Sequence, residues 1–207
     1  MRSILTVVAA ADSYDLTTLA NVKAELNITD SSSDAVLRRY ISGASLAAAK
    51  YCNRVFVVES LSEQFLDDRQ PFEHYRGPLQ LARWPITDLA TVTEAGSLLD
   101  EDDDYLVDPS KGQITRISGN AVSSWCRFGI TVAYSAGYAV IPSDLEDAVI
   151  RMVTKRWSAK ARDATLKQRE IPGVLSESYW IATGEDAGNL TPDIADILNN
   201  YRAINVV

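Results

Sequence analysis

The sequence predicts an α+β protein, in which helices from both ends of the chain form a bundle and a small antiparallel β-domain is inserted between them. Before about residue 55 and again after Pro142, apolar residues recur at the three- and four-residue spacing of a helix face. Between these parts they alternate with polar residues in short runs, which is typical of strands. We therefore expect a helical part from residues 1–54 and 142–207, and a β-sandwich-like domain from residues 55–141.

Two helices are predicted before residue 55. The first runs from about Thr18 to Leu26 and is ended by Asn27. The second ends near Asn53, and its apolar face consists of Leu37, Tyr40, Ile41, Ala44, Ala48 and Tyr51. Because Ala44 and Ala48 are small, another helix can approach closely, so we expect the second helix to be central to the bundle.

The middle of the chain contains about six predicted strands, which are separated by turn signals. They are Val55–Leu66, Leu79–Ile86, Leu89–Glu94, Tyr105–Val107, Ile114–Ile117 and Phe128–Tyr138. No long crossover helix lies between them, so a parallel sheet is disfavoured. Short strands with frequent turns favour a small antiparallel sandwich or an open barrel.

A third helix is predicted after Pro142 and ends near Asp163. Ser143 and Glu146 have the spacing of a capping box, which would begin this helix. Its predicted apolar stripe consists of Leu145, Val149, Met152, Val153 and Trp157. The abrupt change from alternating to helical spacing marks the end of the β-domain.

The last part of the chain is predicted to be an arm followed by a short helix. Ala164 to Asn189 has no sustained periodicity, so we interpret it as a long loop or arm that becomes ordered on assembly. Tyr179 and Trp180 lie in this arm, where no local core explains them. We expect them to contact a neighbouring subunit, with packing on their own chain as the alternative.

In the final predicted helix, Thr191 is the cap and Pro192 the first residue. Its apolar face, Ile194, Leu198 and Tyr201, is expected to pack on the bundle. The tail from Ala203 to Val207 is apolar, and an isolated monomer would have little reason to expose it. We therefore interpret the end of the chain as a docking segment, in which the residues able to reach outward are Arg202, Ile204, Val206 and Val207.

The composition of the 207-residue chain is that of an ordinary globular protein, with 46% hydrophobic and 23% charged residues. The formal net charge is −8 and no dense Lys/Arg cluster offsets it, so a dedicated nucleic-acid-binding protein is disfavoured. Ile4 to Ala11 is apolar but too short to span a membrane, and we favour a strand or arm there over a signal peptide. Cys52 and Cys126 are expected to be free thiols, although a disulfide between them stays open.

No catalytic, cofactor-binding or metal-binding residue is predicted. His74 is the sole histidine, and without an oriented partner or a cleft we interpret it as an exposed or locally packed loop residue. The acidic run from Asp100 to Asp104 begins like an EF-hand, but Tyr105 stands where that loop requires Gly and Lys111 where it requires Glu. We interpret the run as a solvated loop, with a weak cation site as the alternative. A Gly-rich phosphate-binding loop is also lacking.

A series of short motifs accompanies the change from strands to the third helix: Asp104-Tyr105, Gly112, Tyr134, Gly137-Tyr138 and Pro142 to Leu145. Their order resembles that of the head-to-tail connector (adaptor) proteins of long-tailed bacteriophages and gene transfer agents. In the order of its elements, the resemblance extends from about Thr17 to Arg202.

The resemblance implies a structural protein of the virion neck, present in the host cytoplasm during assembly, with no cofactor, no membrane contact and no catalysed reaction. Such proteins are expected to form a ring, twelvefold in symmetry, beneath the portal protein. The C-terminal segment would grip the portal, and the opposite face would receive a stopper or tail-completion protein. DNA would pass through the channel without specific binding.

Two other classes of protein remain open. Another neck component, such as a stopper or tail-completion protein, would share the composition and the lack of catalytic motifs, and localisation in the particle would separate it from an adaptor. A cellular ligand-binding or hydrolytic protein would require a deep polar pocket around His74 or the acidic run.

Overall fold

The computed structural model describes residues 2–66, 75, 77–126, 129–161, 168–171, 175–178 and 190–203, with the backbone alone for 161, 168–171 and 175–178. The strands are β1 (Arg2–Ala9), β2 (Glu59–Leu66), β3 (Leu79–Gln80), β4 (Ile86–Glu94), β5 (Ser97–Leu98), β6 (Tyr105–Asp108), β7 (Gln113–Ser118), β8 (Ala121–Val122), β9 (Ile130–Ala136), β10 (Gln168–Ile171) and β11 (Leu175–Ser178). The helices are α1 (Leu19–Glu25), α2 (Asp34–Cys52), α3 (Ser143–Ser158) and α4 (Pro192–Asn199), with a 3-10 turn at Ala159–Ala161.

The chain divides into two compact units. The first, the β-unit, comprises residues 1–13 and 55–140, and the second, the helical unit, comprises residues 14–54 and 141–207. Both units are therefore built from segments that are distant in the sequence.

The β-unit contains a five-stranded antiparallel sheet with the order β1-β2-β9-β4-β5. A second sheet has the order β3-β7-β6, and β8 pairs with β7. In β9, every second residue is buried, which follows from the alternation of side chains along a strand. These residues, Ile130, Val132, Tyr134 and Ala136, join Leu61, Phe65, Leu81 and Trp125 in one hydrophobic core.

The predicted helical bundle with a small inserted β-domain is wrong. Among the residues that the structure describes, 33% lie in strands and 32% in helices, so the β-structure is not a small insertion into a helical protein. One reason is β1, which pairs with β2 through contacts such as Ser3 with Phe65. Another is that β3, β5 and β8 have only two residues each, too few to show any periodicity.

The helical unit is organised around α3, which contacts α1, α2 and α4. Its core contains Val22, Leu37, Ile41, Leu145, Val149, Val153, Ile194 and Leu198. On α2, Ala44 and Ala48 are buried, as the apolar pattern predicted. Small residues at these positions permit the close packing of α2 within the unit.

The ends of the first two helices agree with the sequence prediction, but the start of α3 does not. Asn27 and Asn53 have positive φ angles of 54° and 50°, the left-handed conformation that ends a helix. At α3 the N-cap is Pro142, and Ser143 is already helical, so the predicted capping box is absent. The Glu146 carboxylate instead accepts hydrogen bonds from Thr17 Oγ1 (2.8 Å) and Asn21 Nδ2 (2.7 Å).

The segment from residue 164 to 189, predicted to be a long loop or arm that becomes ordered on assembly, contains a β-hairpin. Its strands β10 and β11 pair with each other over four residues, from Gln168 with Ser178 to Ile171 with Leu175. They form a two-stranded sheet of their own. The prediction of a loop is therefore wrong for Gln168–Ile171 and Leu175–Ser178.

Candidate interaction surfaces

Hydrogen bonds join the C-terminal end of helix α4 to helix α2. The Tyr51 hydroxyl donates to Asn199 Oδ1 over 2.9 Å, and the Cys52 thiol donates to the Leu198 carbonyl over 3.3 Å. After the helix, the Ala203 amide donates to the Cys52 carbonyl over 2.8 Å. An eight-residue helix is marginal alone, so these contacts and its buried face hold it in place.

Two polar contacts join α4 and its following turn to α3. The Tyr201 hydroxyl donates to Asp144 Oδ1 over 2.5 Å. Arg151 lies 2.7 Å from Asp147 and 3.5 Å from Asp193, the first acidic residue of α4. The two carboxylates raise the pKa of the exposed Arg151 guanidinium, which stays charged in any case. The backbone is thus anchored from Pro192 as far as Ala203.

Of the four predicted docking residues, Arg202 is within the described part of the chain. It is exposed, and its guanidinium carbon lies 5.8 Å from the centre of the Tyr51 ring. Ile204, Val206 and Val207 lie outside the described residues, and so do Tyr179 and Trp180. These five remain predictions.

A second candidate surface is strand β1, which lies at the edge of the five-stranded sheet. Seven of its eight residues are exposed, although the strand is paired with β2 along its length. Its exposed apolar side chains are Ile4 (52%), Val7 (45%) and Val8 (68%). Only Leu5 packs against the core of the β-unit.

The acidic run from Asp100 to Asp104 is held in place by Arg116 of β7. The Arg116 guanidinium contacts Asp104 Oδ1 at 3.0 Å and Glu94 Oε2 at 3.1 Å. The pKa of the Asp104 carboxyl is lowered, mainly by the hydrogen bond from the Asp100 amide and next by Arg116, because both stabilise the charged form of the carboxyl. Within the described residues, no group of three His, Cys, Asp or Glu side chains could hold a metal ion.

A buried polar pair lies in the β-unit, and the sequence analysis missed it. Glu63 Oε2 accepts hydrogen bonds from the Tyr134 hydroxyl (2.8 Å) and the Ala82 amide (2.9 Å), while Oε1 has no partner among the described residues. Burial, followed by the Glu63 charge, raises the pKa of Tyr134 well above its usual value. Glu63 lies between Leu61 and Phe65 at an inward position, so the strand alternation could have identified it as buried.

The two cysteines are free thiols. Burial raises the pKa of the Cys52 thiol to about 11, so the thiol is protonated and unreactive at neutral pH. His74 lies outside the described residues. Of the helices in the described part of the chain, none is long and apolar enough to cross a membrane.

Comparison with known proteins identifies relatives of the chain. Residues 16–73 match the family of phage gp6-like head-tail connector proteins. No curated protein sequence matches the chain. Three similar solved structures come from gene transfer agent (GTA) particles, and each comparison covers 99% of this chain and 97% of the other.

One of these structures is the virion of the native GTA particle (14% identity, TM-score 0.56). The others are the neck of the native particle computed with C12 symmetry (13%, 0.57) and the neck of the empty particle computed with C6 symmetry (15%, 0.54). At these identities the structures demonstrate a shared fold. The family match confirms the resemblance predicted from the sequence: over residues 16–73 the chain resembles the phage gp6-like head-tail connector proteins.

Proposed function

We propose that the chain is an adaptor in the neck of a virion, where copies of it form a ring that joins the DNA-filled head to the tail. The family match to head-tail connectors supports the connector role. The shared fold with neck structures computed with C12 and C6 symmetry supports a ring, for which we expect twelve copies. Family members are structural proteins, and we propose that this chain likewise catalyses no reaction.

The C-terminal segment is the proposed docking site on the portal protein. The observation that carries this proposal is the anchoring of α4 and the following turn, which holds the backbone in place as far as Ala203. The apolar residues Ile204, Val206 and Val207 follow directly from this fixed point. A short segment on a rigid base loses less conformational entropy on binding than one on a flexible base.

A ring would make weak docking contacts strong. Each copy would contribute a few apolar side chains and Arg202, which is exposed beside the Tyr51 ring. Once one segment has bound, the others act at a high effective concentration, so that the ring as a whole attaches firmly. This arrangement fits a connector, because many small contacts together can hold it on its partner.

The acidic character of the chain suits a channel through which DNA passes. The net charge is −8, and sequence-independent attachment to the phosphate backbone requires several cations on one surface. We propose that DNA is a passing cargo of the ring. A stopper or tail-completion protein would bind the face of the ring away from the portal.

The docking proposal is tested by removing residues 204–207 and keeping Ala203, whose amide bonds to Cys52. We expect the truncated protein to remain folded, with an unchanged circular dichroism spectrum, and to lose binding to purified portal rings in electron micrographs. Assembly would then give filled heads without tails. Lys50→Ala is a control, because it removes an exposed cation near the end of α2 and should leave binding intact.

Tailed particles from the truncated protein would contradict C-terminal docking and move the portal contact to another surface. Localisation of the protein by electron microscopy of particles separates the adaptor role from that of a stopper. An adaptor contacts the portal directly, whereas a stopper lies one layer further from the head.

A further inference from the structure

Strand β1 has an unused hydrogen-bonding edge. It pairs with β2 on one side, from Arg2 with Leu66 to Ala9 with Ser60. Within the described residues, no strand pairs with its other side. A strand at a sheet edge presents a row of amide and carbonyl groups that another strand can complete.

This edge has few of the features by which proteins usually block edge pairing, and its one irregularity is a register shift between Val7 and Ala9. It contains no proline and no lysine, its single charge is Arg2 at the start, and Ile4, Val7 and Val8 are exposed. The opposite edge of the same sheet is more obstructed, because β4 has two register shifts, against one in β1, and is partly covered by the short strand β5. The β1 edge is therefore the side of the sheet that can accept a further strand.

The β10–β11 hairpin also has unpaired strand edges, which could pair with the edge of β1. Its two strands form a separate two-stranded sheet, so each has one edge unpaired within that sheet. An isolated two-stranded hairpin is at best marginally stable in water, and adding it to a larger sheet stabilises it.

We infer that the β10–β11 hairpin of one copy adds to the β1 edge of the next copy. This inference rests on the proposed ring and specifies its subunit contact. Two different surfaces meet in such a contact, so each copy offers one surface to each neighbour and the assembly can close into a ring. Pairing of β1 with a second β1 would use the same surface twice and would end at a dimer.

The inference also gives a place to the predicted intersubunit residues. Tyr179 and Trp180 directly follow β11, which ends at Ser178. Their predicted contact with a neighbouring subunit would then belong to the same interface.

The test uses two variants, each of which removes one half of the contact. In the edge variant, Ile4→Lys and Val8→Lys place charges on β1, where both wild-type side chains are already more than half exposed. In the hairpin variant, a Gly/Ser linker of equal length replaces residues 168–178. The matched control carries Val122→Lys and Val140→Lys, which change two exposed valines outside β1 (69% and 84%).

Assembly is measured by analytical ultracentrifugation and electron microscopy, for the protein alone and on purified portal rings. We expect rings from the wild type and the control. Without portal, each variant alone should remain monomeric, with association weakened about tenfold or more. An equimolar mixture of the two should give heterodimers and nothing larger, because the edge variant still has its hairpin and the hairpin variant still has its β1 edge.

Three results would overturn the inference. Rings that either variant forms without portal would show that the contact lies elsewhere, while the ring itself would stand. Dimers from the hairpin variant alone would favour β1–β1 pairing. A mixture that stays monomeric at concentrations about a hundredfold above those needed by the wild type would exclude a head-to-tail contact. If the wild type forms no ring in either setting, the proposed function fails together with the inference.

Discussion

Gly137 is the position where one added methyl group should damage the β-unit most. Its φ angle is +136°, and a Cβ at this position would lie 2.3 Å from the Val57 carbonyl oxygen and 2.7 Å from the Val58 nitrogen. The Gly137 amide donates to the Pro85 carbonyl over 2.9 Å, and the Tyr138 amide donates to the Phe56 carbonyl over 2.7 Å. The clash is with backbone that cannot rotate away, so the strands themselves must separate.

The expected cost of Gly137→Ala combines two effects. The unfavourable backbone conformation contributes about 1–3 kcal/mol and overpacking against the backbone another 1–3 kcal/mol, so the variant should lose about 2–6 kcal/mol. Gly119→Ala is the matched control. Its φ angle is +59° and no heavy atom lies within 4 Å of the added Cβ, so it carries only a conformational cost of about 1–2 kcal/mol.

Urea unfolding followed by tryptophan fluorescence measures both variants, since Trp125 is fully buried in the core of the β-unit. The free energy of unfolding should fall further for Gly137→Ala than for Gly119→Ala, by at least about 1 kcal/mol. Equal losses in the two variants would refute the close approach of Gly137 to Val57, and with it the physical explanation of the Gly137-Tyr138 motif.

Two further predictions concern the cores of the two units. Ala44→Leu should cost about 1–3 kcal/mol by overpacking the buried face of α2, whereas the exposed Ala47→Leu should change stability by less than about 0.5 kcal/mol; equal melting temperatures would contradict the assigned face. Tyr134→Phe should cost about 1–3 kcal/mol at neutral pH, because Glu63 loses a hydrogen-bond donor inside the core. The folded pKa of Tyr134 is raised, so above about pH 10 the unfolded phenol ionises while the folded one stays protonated, and wild-type stability should fall with rising pH. Tyr134→Phe should weaken this alkaline loss, as measured by urea unfolding between pH 8 and 11, and an identical slope would contradict the raised pKa.

The type of most elements could be predicted because each signal is local. The apolar face of α2 and the alternation in β9 lie within one helix and one strand, and Asn27 and Asn53 end their helices through their own backbone conformation. The capping box failed because its partner was not local. Glu146 has the right spacing from Ser143, but Thr17 and Asn21 are its hydrogen-bond donors.

The candidate surfaces were predictable to different degrees. The short C-terminal helix was predicted from Thr191, Pro192 and the spacing of Ile194 and Leu198, all close in sequence. Its attachment through Tyr51 and Cys52 could not be predicted, since those residues are separated from α4 by almost the whole β-unit in the sequence. Arg116 likewise lies outside the acidic run that it fixes.

The sequence by itself determined the type of most helices and strands and the resemblance to head-tail connectors, because residue type, periodicity and motif order are properties of short segments. The tertiary structure decided that the first residues form β1 and that strands occupy about as many of the described residues as helices do. It also decided that the Tyr134 hydroxyl donates a hydrogen bond to Glu63. Strand pairing and long-range hydrogen bonds depend on contacts between residues far apart in the chain, and the free energy of such contacts is absent from any local pattern.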